Sequence, residues 1–233
     1  NPVFGNCERF LIMEMIPQVE DRYRVRKGPQ HRAVYGKSSG GYGSLVQGML
    51  HGEHWGAVGS LSGDAGFDWL YKVDLPVCLD ALAEFGGDPA KFIEALRNKK
   101  KVTGPEFAVL MTLAMAASYD PDPENPGNIR LPFDLRTCEV DEERWSAWMA
   151  FDPLVMLESH ADALKSLQGL YVDVGMYDQY NIQYGSRRLA DRMSELGIEH
   201  HYEEFEGTHS SIDWRLDNSL PFLVNALKNT AKE

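Results

Sequence analysis

Gly36, Ser38 and Gly40 stand in the spacing Gly-x-Ser-x-Gly within the stretch HRAVYGKSSGGYGSLVQGML, residues 31–50, which also contains Gly36-Lys37-Ser38. The first pattern is a turn that lifts a nucleophilic serine out of a strand and into a helix; the second ends a phosphate-binding loop. A phosphate loop needs a glycine five positions before the Gly of Gly-Lys-Ser. That position is His31, ahead of the strand instead of after it. The serine turn fits its surroundings, because an apolar stretch runs straight into glycines. Gly36 and Gly40 relieve the crowding around a strained residue at Ser38, and Gly41 allows close packing of the following helix. The N–H of Ser39 then lies at the helix N-terminus, where an oxyanion is favoured.

A serine nucleophile needs a base, and the base needs an orienting carboxylate, in the chain order serine, acid, histidine, with acid and base each following a strand. The apolar strand GLYVDVG is followed by MYDQYN, which offers Asp178; the strand HHYEEFEG is followed by THSS, which offers His209. Asp173 competes as the acid, but it falls inside its strand and reads as structural. One of the adjacent pair His200 and His201 must face away from the catalytic end, and His31, His51, His54 and His160 have no positional argument. Tyr177 and Trp214 sit beside the acid and the base and are candidates for a substrate pocket wall.

These residues require a parallel sheet to carry them. From Asn6, a plausible N-cap, the apolar residues Ile12, Ile16, Val19 and Tyr23 recur at helical spacing, with Pro17 expected to kink the helix. The strand before Ser38, a helix over GYGSLVQGMLHG, and a second strand in GAVGSLSG follow. Residues 64–158 contain several helical stretches and an acidic, proline-rich loop, DPDPENPGNIRLPFD. The rhythm then resumes with GLYVDVG, a helix marked by Ile182, Leu189, Met193 and Leu196, the more polar strand HHYEEFEG, and a last helix lined by Leu216, Leu220, Leu223 and Leu227. Strands alternating with helices imply an α/β fold with a parallel sheet covered on both faces. Residues 1–63 and 159–233 form its core, and 64–158 is a helical cap or lid insertion. Most aromatic residues of the insertion (Phe67, Trp69, Tyr71, Phe107, Trp145, Trp148, Phe151) read as its own core.

Composition narrows the class. The 233 residues are 43% hydrophobic and carry a formal net charge of −12, which argues against a nucleic-acid partner. Lys99-Lys100-Lys101 is the only compact basic run and reads as a solvated helix end. The three cysteines, Cys7, Cys78 and Cys138, are widely spaced and odd in number. They read as free thiols, which favours a reducing, cytoplasmic setting. No apolar run has the length of a membrane span, and no signal peptide is visible.

GKSSGGYGSL, YVDVGMYDQYN and YEEFEGTHSSIDWR resemble three blocks of the Putative esterase family, which groups enterochelin esterase-like enzymes with esterase D (S-formylglutathione hydrolase) and the mycolyltransferases. FLIMEMIPQVEDRYRV is similar to the family's helix before the nucleophile strand. The likeness covers roughly residues 1–63 and 165–228. It implies the α/β-hydrolase fold, with Ser38 as nucleophile, Asp178 as acid and His209 as base. Lys37 and Ser39 depart from the family's usual neighbours of the serine without forbidding the chemistry, and Lys37 is expected to point to solvent.

The expectation is a serine esterase working through an acyl-enzyme on a small-molecule ester or thioester, with Ser39 N–H in the oxyanion hole and no metal or organic cofactor. Its rivals are an acyltransferase of the same fold and a non-catalytic binding module. The fold implied by the resemblance has more strands than the four read here. Upstream strands, roughly a hundred residues by usual domain size, are therefore expected from an N-terminal companion segment, with a homo-oligomer as the other possible partner. The second oxyanion donor is expected from the same segment.

Overall fold

The computed structural model describes residues 5–125 and 127–229; the ends of the expected core, and Pro126 of the expected loop, lie outside the described residues. Asn6 caps the first helical segment, its Oδ1 accepting the N–H of Arg9 at 2.9 Å. The segment runs through α1 (Cys7–Phe10), a π turn at Leu11–Met15 and α2 (Ile16–Arg22). The widened turn stands where Pro17 was expected to kink the helix. A regular turn would bring the proline ring against the carbonyl of Met13 and leave that carbonyl without an N–H. Ile12 is buried, whereas Val19 and Tyr23, expected on the same inward stripe, are exposed. Tyr23 is already extended, with φ −121° and ψ 148°.

Among the described residues four strands follow: β1 (Ala33–Lys37), β2 (Ala57–Leu61), β3 (Gly169–Gly175) and β4 (His201–Phe205). They form one sheet in the order β1-β2-β3-β4, with all three pairings parallel. Every residue of β2 is buried, which a strand flanked on both edges and covered on both faces requires. Parallel neighbours need crossovers. Between β1 and β2 the connection is α3 (Ser39–Leu50).

The connection from β2 to β3 is the long one. It begins with α4 (Phe67–Leu70) and passes through α5 (Leu75–Ala83), α6 (Pro89–Leu96), α7 (Gly104–Tyr119) and α8 (Glu142–Met149). It returns by α9 (Pro153–Met156) and α10 (Ala161–Lys165). Residues 71–151 gather, together with the chain start, into a compact unit of their own, and residues 10–70 with 152–229 form the other. Side-chain caps set helix starts within residues 71–151: Asp88 for α6, Thr103 with Glu106 in a capping box for α7, and Asp141 for α8. The helical unit has its own apolar core, centred on Leu75, Cys78, Leu82, Phe92, Val109, Leu113 and Phe133. Of the aromatic residues named from the sequence, Phe67, Tyr71, Trp145 and Trp148 are buried, whereas Trp69, Phe107 and Phe151 are exposed.

After β3 the chain forms α11 (Ile182–Glu195), and after β4 it forms α12 (Leu216–Asn229). The two faces of the sheet differ. Leu45 and Met49 of α3, Leu189 and Met193 of α11 and Leu157 and Leu164 pack against Val58, Leu170 and Val172 on one face. Ala57 and Tyr171 turn the other way, toward Leu223 and Phe222 of α12. The period-two alternation of β3 thus sends Leu170 and Val172 to one core and Tyr171 and Asp173 to the opposite side.

One buried carboxylate ties the two ends of the long connection. Asp152 accepts the N–H groups of Gly66 at 3.0 Å, Phe67 at 2.7 Å and Leu154 at 3.0 Å. Burial pushes its carboxyl above the ordinary range, and the three N–H donors oppose that rise. Asp152→Ala should lower the unfolding free energy by about 3 kcal/mol, because three buried donors lose a charged acceptor together; the urea midpoint reads it. Burial also pushes the Cys78 thiol up to about 12. An unfolded thiol ionises earlier, so this group leaves stability unchanged at neutral pH and disfavours the native state increasingly as pH rises from about 9 to about 12. In the folded chain at pH 8, alkylation should be rapid at exposed Cys7 and negligible at Cys78, as mass mapping will show.

Candidate active site

Ser38 occupies the one-residue junction between β1 and α3, at φ 58° and ψ −127°. Such a conformation is costly for a residue with a side chain and persists only where its surroundings hold it. Here they do. The Ser38 N–H donates to the Leu61 carbonyl at 2.9 Å, continuing the β1–β2 ladder, while the Ser38 carbonyl accepts the N–H of Tyr42 at 2.9 Å and starts the helix. A Cβ on Gly36 would lie 2.5 Å from the Gly40 carbonyl, and one on Gly41 would lie 2.9 Å from Gly63 Cα. Gly40 itself faces open space, so the crowding expected at Gly40 belongs to Gly36 alone. Ser39 is the first residue of α3, and its N–H has no acceptor within the helix. Lys37 is exposed, as expected.

Asp178 and His209 come from the loops that follow β3 and β4. Both residues are buried, 3% and 7% exposed, and Asp178 Oδ2 lies 2.8 Å from His209 Nδ1. A carboxylate only accepts, so Nδ1 is the donor of this bond, and Nε2 is the ring nitrogen left outside it. The second carboxylate oxygen accepts the Tyr180 N–H at 2.9 Å. The two loops are stitched to each other: Met176 N–H donates to the Phe205 carbonyl and Tyr177 N–H to the Gly207 carbonyl, each at 2.9 Å. Gly175 makes that approach feasible, since a Cβ there would meet the Thr208 carbonyl at 2.6 Å.

Because all four strands are parallel, Ser38, Asp178 and His209 leave the sheet at the same end. Ile212, three residues past His209, lines one recess together with Gly36 and Lys37, so the histidine loop reaches back to β1. The hydrogen bonds among the described residues join Asp178 to His209 and include none between Ser38 and His209.

The competing residues have other partners. Asp173 bonds to Arg215 and to the Tyr171 hydroxyl, and burial pushes its carboxyl up. His200 Nδ1 bonds to the Ile198 carbonyl, and the His201 ring stacks on Tyr171 at 5.0 Å. Tyr177 is 63% exposed beside Asp178; Trp214 is 50% exposed and sets its ring edge against Phe205.

Two residues around the pair escaped the sequence reading. The Tyr180 ring stands perpendicular to the His209 imidazole, with centroids 5.0 Å apart. Gln179 accepts the His209 N–H at 3.0 Å and donates to Ser210 Oγ at 3.2 Å. Their adjacency to Asp178 in YDQYN was the only available signal. Among the described residues, no cluster of three or more His, Cys, Asp or Glu side chains is arranged to hold a metal ion.

A search of curated proteins gives no match to this sequence. Solved structures of similar fold include a ferulic acid esterase (19% identity, TM-score 0.54), covering 94% of this chain and 60% of that one. The apoenzyme of S-formylglutathione hydrolase from Staphylococcus aureus is also similar (14% identity, TM-score 0.51; 91% and 62% covered). So is the fluorophosphonate-binding serine hydrolase F of Staphylococcus aureus (14% identity, TM-score 0.50; 92% and 62% covered). The chain therefore spans about 60% of the length of these structures. At these identities the likeness establishes an α/β-hydrolase type of fold. Residues 1–219 match the family described as Putative esterase, and the chain belongs to that family.

Proposed function

We propose that this chain hydrolyses carboxylic esters or thioesters through an acyl-enzyme on Ser38, with His209 as base and Asp178 as the acid that orients it. The observation that carries this reading is the strained Ser38 turn at the same end of the sheet as a bonded Asp178–His209 pair. Nothing in the packing of β1 on α3 calls for a side chain at a positive-φ junction that glycine would fill at lower cost.

In this reading His209 Nε2 takes the Ser38 hydroxyl proton as Oγ attacks the carbonyl carbon, and the hydrogen bond between them forms in the substrate complex. Asp178 holds the imidazole in the Nδ1–H tautomer and stabilises the imidazolium. The Ser39 N–H, at the positive end of α3, donates to the tetrahedral oxyanion. The imidazolium returns its proton to the leaving alcohol or thiol. Water, deprotonated by His209, then attacks the acyl carbon, and the imidazolium returns that proton to Ser38 Oγ as the acid leaves. Tyr177 and Trp214, both exposed on the loops that carry the acid and base, offer aromatic faces to the acyl or leaving group. A ferulic acid esterase and an S-formylglutathione hydrolase among the similar folds make aryl esters and thioesters the first natural-type substrates to try.

The test compares wild type with Ser38→Ala on p-nitrophenyl acetate and butyrate, and locates a fluorophosphonate adduct by mass. Turnover and an adduct on Ser38, both absent in the variant, are expected; His209→Ala and Asp178→Asn should each lose about 10⁴-fold in kcat. Turnover indifferent to Ser38→Ala, or a folded wild type with neither turnover nor adduct, overturns the reading. The strain gives a separate expectation. Ser38→Gly should be inactive, yet more stable than Ser38→Ala by about 1 kcal/mol, because glycine adopts the turn without the steric cost; the difference in thermal midpoints reads it.

A further inference from the structure

We propose that Arg215 is a positioning residue for the Asp178–His209 pair, because its buried guanidinium fastens the roots of both loops that carry them. The proposal rests on the reading of Asp178 as acid and His209 as base. Asp173 of β3 and Glu203 of β4 face each other in register across the parallel ladder. Two carboxylates so placed repel and would spread the strands just before the functional loops. Arg215, itself 1% exposed, answers both. Its Nε donates to Asp173 Oδ2 at 2.8 Å, and its Nη1 and Nη2 donate to the two Glu203 oxygens at 3.1 and 2.5 Å. Nη2 also donates to the Tyr171 hydroxyl at 2.8 Å. The guanidinium lies over the rings of Phe205 and Trp214, with its carbon 4.7 and 5.0 Å from their centroids.

The spacing gives this cluster its meaning. Glu203 and Arg215 close a loop whose midpoint is His209, six residues from either end. The same guanidinium holds Asp173, five residues before Asp178. One cation thus fixes where the base loop begins and ends and where the acid loop begins. Stability does not require the arrangement, since buried ion pairs are often matched or surpassed by apolar residues of similar volume. What apolar packing does not supply is the directed fork that sets three acceptors in one geometry.

The test uses Arg215→Gln, with Arg187→Gln as control; Arg187 makes a comparable pair with Glu204 but reaches neither loop. Two readouts are taken: the kcat and KM on p-nitrophenyl acetate, and the downfield His209 Nδ1–H proton resonance, which reports the bond to Asp178 directly. Arg215→Gln should lose about 10²-fold in kcat with KM changed less than about twofold, the scale of a misplaced catalytic group. Its resonance should shift or vanish, while Arg187→Gln leaves both unchanged. A folded Arg215→Gln with wild-type kcat and resonance overturns the proposal. Should that variant not fold, Glu203→Gln decides, because it cuts only half the clamp: a shifted resonance supports the proposal and an unchanged one overturns it. The resonance needs no turnover, so a chain without esterase activity would overturn the reading of function while the clamp is still tested.

Discussion

Parallel pairing of β2 with both neighbours is the constraint on which the rest of this structure depends. Parallel strands cannot be joined by tight turns, so each must be followed by a helix or a long excursion before the next begins. Every strand-to-helix loop therefore emerges at the carboxyl edge, and chemistry accumulates there. With all five residues of β2 buried, the strand cannot slip by one residue without driving Val58 out of the core shared with α3 and α11. Register is consequently firm, and the heights at which β1, β3 and β4 end are firm with it.

The faces of β3 show how one strand serves packing and polarity at once. Leu170 and Val172 enter an apolar cluster of twelve buried side chains, which supplies burial free energy on the order of 1.5–3 kcal/mol for each large residue. On the opposite face Tyr171 meets Phe222 of α12, and two residues later the same face carries the Asp173 carboxylate. The switch from apolar to ionic occurs where α12 gives way to the turn bearing Arg215. A buried carboxylate there is tolerable only with its cation in contact, which explains why the pair lies within hydrogen-bond distance and not merely nearby.

Much of this was legible in the sequence, and the boundary is physical. Period-two and period-3.6 patterns are local, so the four strands and the helices flanking them could be read directly. The positions of Ser38, Asp178 and His209 followed because each lies just past a strand, and strand ends are local features too. What escaped is non-local or sterically particular. Arg215 meets Asp173 across 42 residues, a contact no periodicity encodes. Gln179 reaches His209 by a side chain from an irregular loop, where spacing carries no information. Val19 and Tyr23 share the helical spacing of Ile12 and Ile16 yet are exposed, Val19 on α2, which continues to Arg22, and Tyr23 where the chain has already turned extended, so spacing alone did not separate buried from exposed positions.

The strain at Ser38 and the order of the sheet are one problem. A positive φ at a serine survives only if its backbone groups are fixed from both sides, and the N-terminal side is fixed by the carbonyl of Leu61. Leu61 pairs in turn with Asp173, and Ser62 N–H donates to the Asp173 carbonyl at 2.8 Å. A line of backbone hydrogen bonds thus runs from the serine through the end of β2 to the residue whose side chain Arg215 holds. Loosening β3 against β4 would disturb the loops carrying Asp178 and His209 first, and through this line would also remove support from the strained turn. The three side chains come from loops far apart in the chain, yet their relative placement rests on the last rungs of three parallel ladders joined through β2 and β3.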